Sequence, residues 1–434
     1  MTAAKPRAQF LPSSLNPRVR GAKTSATIAI QQRCRDLRAA GREVFMLGLG
    51  QSPFPVPASV VDELKKNAFQ KDYLPVKGLP SLRAAIAEHH RRVYGIDCTA
   101  EDVIIGPGSK ELMFILQLAY NGDLVLPTPS WVSYEPQANI IGRRAHKLPT
   151  RREDNWKIMP DDLRALCAED PGRPRLLILN YPANPGGGTY GPGELEAIAE
   201  AAREHNVLLL SDEIYGKLNF FANHRSIAPL YPEGTIFSGG LSKWCGAGGW
   251  RLGFFIFPAN LRWLLDAMAV VASETYTSTS APIQFAAVRA FADDPELERY
   301  LGSCRRVLKA LGNHIADRLK DAGAEVVRPL GGFYLFPDLT PLAEPLARRG
   351  IRTSRELCAR LLEETGVAVL PGSDFGRPPE ELTLRLAYVD FDGGAAIASV
   401  ESLREDQPVP LSFLERSCGP TVAAADRLCA WLKG

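Results

Sequence analysis

The sequence alternates short apolar runs with longer segments in which apolar residues recur at helical spacing. These runs predict buried strands at residues 103–105, 124–126, 176–179, 207–210, 235–237 and 252–257. One intervening helical pattern consists of Leu112, Ile115, Leu116 and Ala119. Strands that are apolar on both faces and alternate with helices are typical of a largely parallel sheet covered on both sides. The pattern therefore predicts an α/β domain.

The pattern changes after about residue 325. Short apolar segments predict the strands of a smaller, partly antiparallel α+β unit at residues 326–327, 332–335, 367–369 and 382–387. Residues 407–420 contain prolines and predict an irregular segment, which is followed by a helix at 422–432. We expect an N-terminal arm that packs with the small domain, a large domain and a small C-terminal domain, at residues 1–55, 56–325 and 326–434.

Composition excludes several classes of protein. The 434 residues include 51 Lys and Arg against 49 Asp and Glu, so the near-zero net charge gives no general attraction to nucleic acid or to acidic membranes. Eight scattered cysteines form no CxxC pair, which argues against a metal site and a disulfide framework. We expect a cytoplasmic protein with reduced thiols, although the basic N-terminal arm leaves a targeting role open.

One glycine-rich segment carries the strongest chemical signal. Residues 238–251 place Lys243 among five glycines, with Arg251 eight residues later. A lysine whose pKa is lowered can form a Schiff base with an aldehyde, and the arginine fork suits a phosphate. Taken alone, such a segment is more often an ordinary loop.

Two polar residues follow predicted strands at the edge of the sheet where ligands bind in open α/β folds. Asp212 comes two residues after the last leucine of the run at 207–210. It could keep a proton on a pyridine nitrogen, or it could cap a helix. Asn184 follows the run at 176–179 and could donate to a ring oxygen, or it could belong to a common turn.

Two further segments lie at the same predicted edge. Gly108, Ser109 and Lys110 lead into a helix, whose first N–H groups could bind a phosphate or simply be capped by Ser109. Trp131 follows the run at 124–126 and could stack on a planar cofactor or pack in the core. In the last predicted strand, alternation places Arg385 on the face opposite Leu384 and Leu386, which taken alone favours a solvated arginine.

Together these residues resemble the class I aminotransferases of the aspartate aminotransferase family, which are fold-type I pyridoxal-phosphate enzymes. The resemblance runs from about Arg18 to about Asp392. Its landmarks occur in the family's order: residues 25–27, Gly50, Tyr73, Gly108, Ser109, Lys110, Trp131, Asn184, Asp212, Tyr215, Ser242, Lys243, Arg251 and Arg385. The resemblance implies an α/β fold in which a large domain with a mostly parallel seven-stranded sheet is joined to a smaller α+β domain.

The resemblance also implies a function, which is transfer of the α-amino group of an L-amino acid to a 2-oxo acid, with 2-oxoglutarate as the expected acceptor. Lys243 would hold pyridoxal 5′-phosphate as an internal aldimine and move the proton, Asp212 would pair with the ring nitrogen, and Tyr215 would complete the catalytic set. The implied cofactor contacts are Lys243, Gly108, Ser109, Lys110, Trp131, Asn184, Asp212, Tyr215, Ser242, Arg251 and Tyr73. The implied substrate contacts are Arg385, Gly50, Asn184 and Trp131.

The resemblance further implies a homodimer with shared active sites, because Tyr73 would reach the phosphate of the other subunit. Four departures from the family pattern matter. Gly240, three residues before Lys243, lies where a phosphate-binding serine often occurs, and residues 407–420 resemble an insertion before the last helix. Residues 274–280 contain no basic residue where some aspartate-specific members carry an arginine, which weakens an aspartate assignment. Three glycines at 186–188 predict a looser turn after Asn184 than many relatives have. β-Elimination by a C–S lyase on the same fold remains the alternative function.

Overall fold

A computed structural model describes residues 14–404 and 406–434, so the first thirteen residues of the predicted arm lie outside the described residues. The strands, in chain order, are β1 Phe45–Met46, β2 Val103–Gly106, β3 Asp123–Thr128, β4 Ala145–Pro149, β5 Arg175–Asn180, β6 Leu208–Asp212, β7 Thr235–Gly240, β8 Gly253–Ile256, β9 Tyr334–Leu335, β10 Val367–Ala368, β11 Leu370–Pro371 and β12 Leu384–Ala387. The α-helices are α1 Ala26–Ala39, α2 Ala58–Asn67, α3 Pro80–Tyr94, α4 Ser109–Ala119, α5 Tyr134–Ile141, α6 Pro160–Glu169, α7 Pro192–Glu204, α8 Arg262–Ser273, α9 Ala281–Ala290, α10 Pro295–Asp321, α11 Ala343–Arg348, α12 Ser354–Thr365, α13 Gly393–Glu401, α14 Leu411–Ser417 and α15 Gly419–Lys433.

The large sheet has seven strands in the order β2-β8-β7-β6-β5-β3-β4. Its strands run parallel except β8, which is antiparallel to both β2 and β7. This confirms the mostly parallel seven-stranded sheet. The sequence did not predict β4, because this strand pairs only with β3 at the edge of the sheet and its five residues, all partly buried or exposed, form no continuous apolar run.

Both faces of this sheet are covered by helices, as the continuous apolar runs predict. Ile104 packs in a cluster with Leu112 of α4 and Leu264 of α8, whereas its neighbour Ile105 packs with Leu82 of α3 on the other face. Side chains of successive strand residues point to opposite faces, so a strand buried on both faces needs apolar residues at every position. Full burial of one apolar side chain of this size contributes about 1.5–3 kcal/mol to the free energy of unfolding.

The remaining strands form two small sheets. Strands β11, β12 and β9 pair antiparallel in that order, and β1 pairs parallel with β10, which joins the segment before α2 to the C-terminal part of the chain. The strand predicted at 326–327 is wrong. This stretch forms only an isolated bridge between Glu325 and Asp338, since Arg328 is followed by Pro329, which cannot donate to a sheet. The division of the chain into domains at residues 55 and 325 stays a prediction.

Residues 407–420 are not irregular throughout, because α14 occupies Leu411–Ser417. Pro410 precedes the first turn of this helix, where a proline is tolerated, and Phe413 and Leu414 are buried in the main core. The prolines therefore mark the start of the helix and do not prevent it. Within the described ranges, no helix has both the length and the apolar character needed to cross a membrane.

Candidate active site

A pocket of about 530 Å³ lies at the carboxyl ends of the central strands. Most of the predicted site residues line it, namely Gly50, Ser109, Lys110, Trp131, Asn184, Asp212, Tyr215, Ser242, Lys243, Arg251 and Arg385. Gly108 adjoins the pocket next to Arg251. Tyr73 does not line it, and its side chain is 89% exposed on the surface. The fold thus brings together residues that lie far apart in the sequence.

Lys243 follows β7 and points into this pocket. Its Nζ donates a hydrogen bond to the backbone oxygen of Gly50 over 2.7 Å. Burial lowers the pKa of Lys243 to about 8, and the nearby cation Arg385 adds to the effect. About a tenth of this amine is therefore neutral at pH 7, and the neutral form is the one that attacks an aldehyde.

Asp212, the last residue of β6, is a buried carboxylate at the bottom of the site. Its Oδ2 accepts a hydrogen bond from the Tyr134 hydroxyl over 2.5 Å, and its Oδ1 accepts one from Ser238 Oγ over 3.4 Å. Burial raises the pKa of Asp212 to about 6, although these donors oppose the shift. Sequence reasoning missed Tyr134. The sequence signal that could have identified Tyr134 is its position three residues after Trp131. At this spacing the two rings pack edge to face, with their centroids 5.2 Å apart.

Arg385 is buried, with 1% of its surface exposed, so the interpretation of a solvated strand arginine is wrong. Its Nη1 donates to Asn184 Oδ1 over 3.2 Å, and its Nη2 donates to the backbone oxygen of Gly48. The Nε of Arg385 is buried and has no hydrogen-bond partner among the described residues. The guanidinium also lies 4.8 Å from the ring centre of Tyr334, a second residue that sequence reasoning missed. The hydroxyl groups of Tyr334 and Tyr215 are hydrogen-bonded over 2.8 Å.

The start of α4 carries hydrogen-bond donors that suit an anion. Ser109 is the first residue of this helix, and the first N–H groups of a helix have no partner within it. Gly108 precedes the helix with φ of 92°, and a Cβ at this position would lie 2.1 Å from Arg251 Nη2. Only glycine therefore allows the guanidinium to approach the helix start. Helix N–H groups and an arginine together suit a phosphate.

The turn after Asn184 is closely packed around Gly187. That it is looser than the turn of many relatives stays a prediction. Gly187 has φ of 70°, and a Cβ there would lie 2.8 Å from both Pro329 Cβ and the backbone oxygen of Tyr334. The backbone N–H groups of Leu330 and Gly331 donate to Gly187 O over 2.8 and 3.2 Å. A glycine is therefore required at this position by both its conformation and its packing.

These groups fit the pyridoxal phosphate that the resemblance implies. Lys243 offers a partly neutral amine for the aldehyde, and Asp212 offers a buried carboxylate for the ring nitrogen. The start of α4 and Arg251 offer donors for the phosphate. The donors of Asn184 and Tyr215 lie in the same pocket, where they could reach the ring oxygen.

Comparison with known proteins identifies relatives over most of the chain. Residues 42–390 match the family described as aminotransferase class I and II. The aspartate aminotransferase of Geobacillus stearothermophilus is 35% identical over 384 residues, which cover 86% of this chain and 94% of that protein. The aspartate/prephenate aminotransferase of Thermus thermophilus is 32% identical, over 83% of this chain and 91% of that protein.

A solved structure of the aspartate aminotransferase from Thermus thermophilus with maleate has the same fold. The two structures superpose with a TM-score of 0.82 at 29% sequence identity, and the match covers 96% of this chain and 99% of that chain. The names of these relatives denote transaminases, so they favour amino-group transfer over β-elimination.

Proposed function

We propose the substrates of this chain, starting from the fact that it belongs to the class I and II aminotransferase family. Its relatives make it a pyridoxal-phosphate-dependent transaminase that acts on an amino acid and a 2-oxo acid. The proposed amino donor is aspartate, and the proposed acceptor is 2-oxoglutarate. Both are dicarboxylates, as is the maleate that accompanies the aspartate aminotransferase in the Thermus thermophilus structure.

The excess of positive charge in the pocket carries this proposal. Its charged lining residues are one carboxylate, Asp212, and four cations, namely Lys110, Lys243, Arg251 and Arg385. Arg251 lies next to the start of α4, where the cofactor phosphate would bind, and Lys243 would bind the cofactor aldehyde. Arg385 suits the α-carboxylate of the substrate. Lys110 is then left to bind a second substrate carboxylate.

The surroundings of Lys110 support this role. Its backbone belongs to the first turn of α4, whereas its Nζ lies 4.9 Å from the ring centre of Trp131. Burial, with a smaller contribution from Arg251, lowers the pKa of Lys110, and among the described residues it forms no ion pair with a carboxylate. A half-buried cation without a carboxylate partner favours an anionic ligand. Lys110 would thus replace the arginine missing from residues 274–280.

The residues divide the chemical work as follows. When bound, pyridoxal phosphate supplies an electron sink that allows the Cα of the amino acid to lose its proton. Asp212 would hold a proton at the ring nitrogen, and Lys243 Nζ would take the proton from Cα and deliver it to the cofactor carbon that carried the aldehyde. Arg385 and Lys110 fix the two carboxylates of the substrate, so that the Cα–H bond is aligned for this transfer.

We also propose that the enzyme is a cytoplasmic homodimer. Phe69 and Tyr73 are 74% and 89% exposed, and the salt bridge of Lys77 with Asp266 brings this segment next to α8. On α8, Trp263 and Val270 are 57% and 66% exposed and lie seven residues apart, on one side of the helix. Exposed aromatic and apolar residues in one place favour a subunit interface. Light scattering should give twice the 47.4 kDa mass of the chain, whereas a monomer would contradict the proposal.

A donor screen combined with a substitution at Lys110 tests the substrate. We expect aspartate to be the best donor with 2-oxoglutarate, and Lys110→Gln to lower kcat/KM for aspartate by about 10- to 100-fold, because a hydrogen bond to a charged group is lost. The amino donor alanine lacks the second carboxylate, so Lys110→Gln should change kcat/KM for alanine little. Lys65→Gln, at an exposed position on α2, is the control. An enzyme that prefers apolar donors, or an equal effect on both donors, would refute the assignment.

A further inference from the structure

Glu213 is a carboxylate whose side chain is fully buried behind the active site. Its Oε1 accepts hydrogen bonds from Ser211 Oγ over 2.7 Å, Ser226 Oγ over 2.6 Å and the Tyr181 hydroxyl over 3.1 Å. Its Oε2 lies 2.6 Å from His224 Nε2. Glu213 does not line the pocket, so it touches neither the proposed cofactor nor the proposed substrate.

A buried carboxylate of this kind is weak evidence for stability. Removing a charged group from water costs several kcal/mol, which hydrogen bonds offset only when the geometry is good, and an apolar residue of similar volume is often at least as stable. The network around Glu213 therefore calls for a role in placing other groups.

The position of Glu213 between two turns indicates what it places. In the chain it directly follows Asp212 and precedes Tyr215 by two residues. Its partner Tyr181 begins the turn that carries Asn184. The Glu213–Tyr181 hydrogen bond therefore joins the turn after β5 to the turn after β6 from behind.

A second link joins the same turns on the pocket side. Asn180 Nδ2 donates to Asp212 O over 2.8 Å, and Asn180 Oδ1 accepts from the backbone N–H of Asn184 over 2.7 Å. With a link on each side, the turns cannot shift relative to each other without breaking a hydrogen bond.

We propose that Glu213 and Tyr181 are positioning residues that hold Asn184, Asp212 and Tyr215 in register for the cofactor. This inference rests on the proposed roles of these three residues. Asn184 and Tyr215 would donate to the ring oxygen of the cofactor. Such donors favour the form in which the nitrogen joined to Lys243 has lost its proton, since the negative oxygen then lacks a neighbouring positive charge. Displacing them raises the pH at which this proton is lost.

Two substitutions separate positioning from a general structural role. Tyr181→Phe and Ser226→Ala each remove one donor to Glu213 Oε1. Each also leaves one backbone N–H without its acceptor, that of Ile227 at 2.8 Å and that of Ala228 at 3.2 Å respectively. Only Tyr181 belongs to a turn with a proposed cofactor contact. The charged groups around Lys243, which are Arg385, Arg251, Asp212 and Lys110, remain unchanged in both variants.

The measurement is a pH titration of the visible absorption of the cofactor-loaded protein, together with the equilibrium affinity for pyridoxal phosphate. We expect Tyr181→Phe to raise the midpoint by about one pH unit and to weaken cofactor binding about tenfold, the size of one hydrogen bond to a charged group. Ser226→Ala should leave the midpoint unchanged. Glu213→Gln should shift the midpoint in the same direction as Tyr181→Phe.

Equal midpoints in the parent protein and Tyr181→Phe, or equal shifts in Tyr181→Phe and Ser226→Ala, would overturn the inference. If Glu213→Gln does not fold, Tyr181→Phe against Ser226→Ala decides the result. A parent protein that shows no absorption from a cofactor joined to Lys243 would overturn the proposed function itself, which is a different outcome from a parent with a normal titration and unshifted variants.

Discussion

Replacing Tyr134 by Phe removes the shortest hydrogen bond to Asp212 and keeps the aromatic ring. The Tyr134 hydroxyl oxygen lies 2.5 Å from Asp212 Oδ2. Tyr134 and Asp212 are 2% and 3% exposed, so water cannot easily replace the lost donor. A buried hydrogen bond to a charged group contributes about 1.5–3 kcal/mol, which corresponds to about one to two pKa units. The pKa of Asp212 in the cofactor-free protein is about 6, and Tyr134→Phe should therefore raise it to about 7–8.

The consequence depends on pH in a defined direction. Because the raised pKa leaves Asp212 half to mostly protonated at pH 7, Tyr134→Phe should weaken cofactor binding about 2- to 10-fold there, and the loss should shrink as the pH rises above the new pKa. Fluorescence titrations of the apoprotein with pyridoxal phosphate at a series of pH values measure this effect. Tyr276→Phe is the control, since the Tyr276 hydroxyl donates to Ile105 O and not to Asp212. A loss that is absent, or that grows with pH, would refute the reasoning.

Three further predictions follow from the site and its supporting turn. Lys243→Ala should abolish the visible absorption of the bound cofactor while the circular dichroism of the fold is retained, and a variant that keeps the band would contradict the role of Lys243. In the unaltered apoprotein, the rate of cofactor capture should rise with pH through a midpoint near 8, because the neutral amine attacks, and a pH-independent rate would contradict this. Gly187→Ala should lower the free energy of unfolding in urea by about 1–3 kcal/mol, because of its positive φ and the contacts at 2.8 Å, whereas Gly193→Ala, with nothing within 4 Å, should have little effect.

The sequence could predict the large sheet and most of the pocket because their signals are local. A strand buried on both faces is apolar at every position, and ligand-binding residues follow such strands directly, as Asp212 follows the leucines of β6. The edge strand β4 carries no such signal, because only one neighbour pairs with it and its side chains are partly solvated.

The residues that sequence reasoning missed act across long separations in the chain. Tyr134 and Asp212 are 78 positions apart, and Tyr215 and Tyr334 are 119 positions apart. No spacing rule connects such pairs, because the partner is chosen by the packing of different elements and not by helix or strand periodicity. The family pattern implies which residues would touch the cofactor, whereas the groups that set their pKa values and positions become visible only in three dimensions.

The excess of cations in the pocket links substrate choice to catalysis. Burial is the main reason for the lowered pKa of Lys243, but Arg385, Arg251 and Lys110 lower it further. The charges that would favour a dicarboxylate thus also keep the amine partly neutral in the cofactor-free protein. Substrate carboxylates that pair with Arg385 and Lys110 would offset the repulsion between these two cations and a protonated Lys243. The pKa of Lys243 would then rise. The amine therefore becomes a stronger base when the bound substrate has a Cα proton to give up, so carboxylate recognition and proton transfer depend on the same electrostatic interaction.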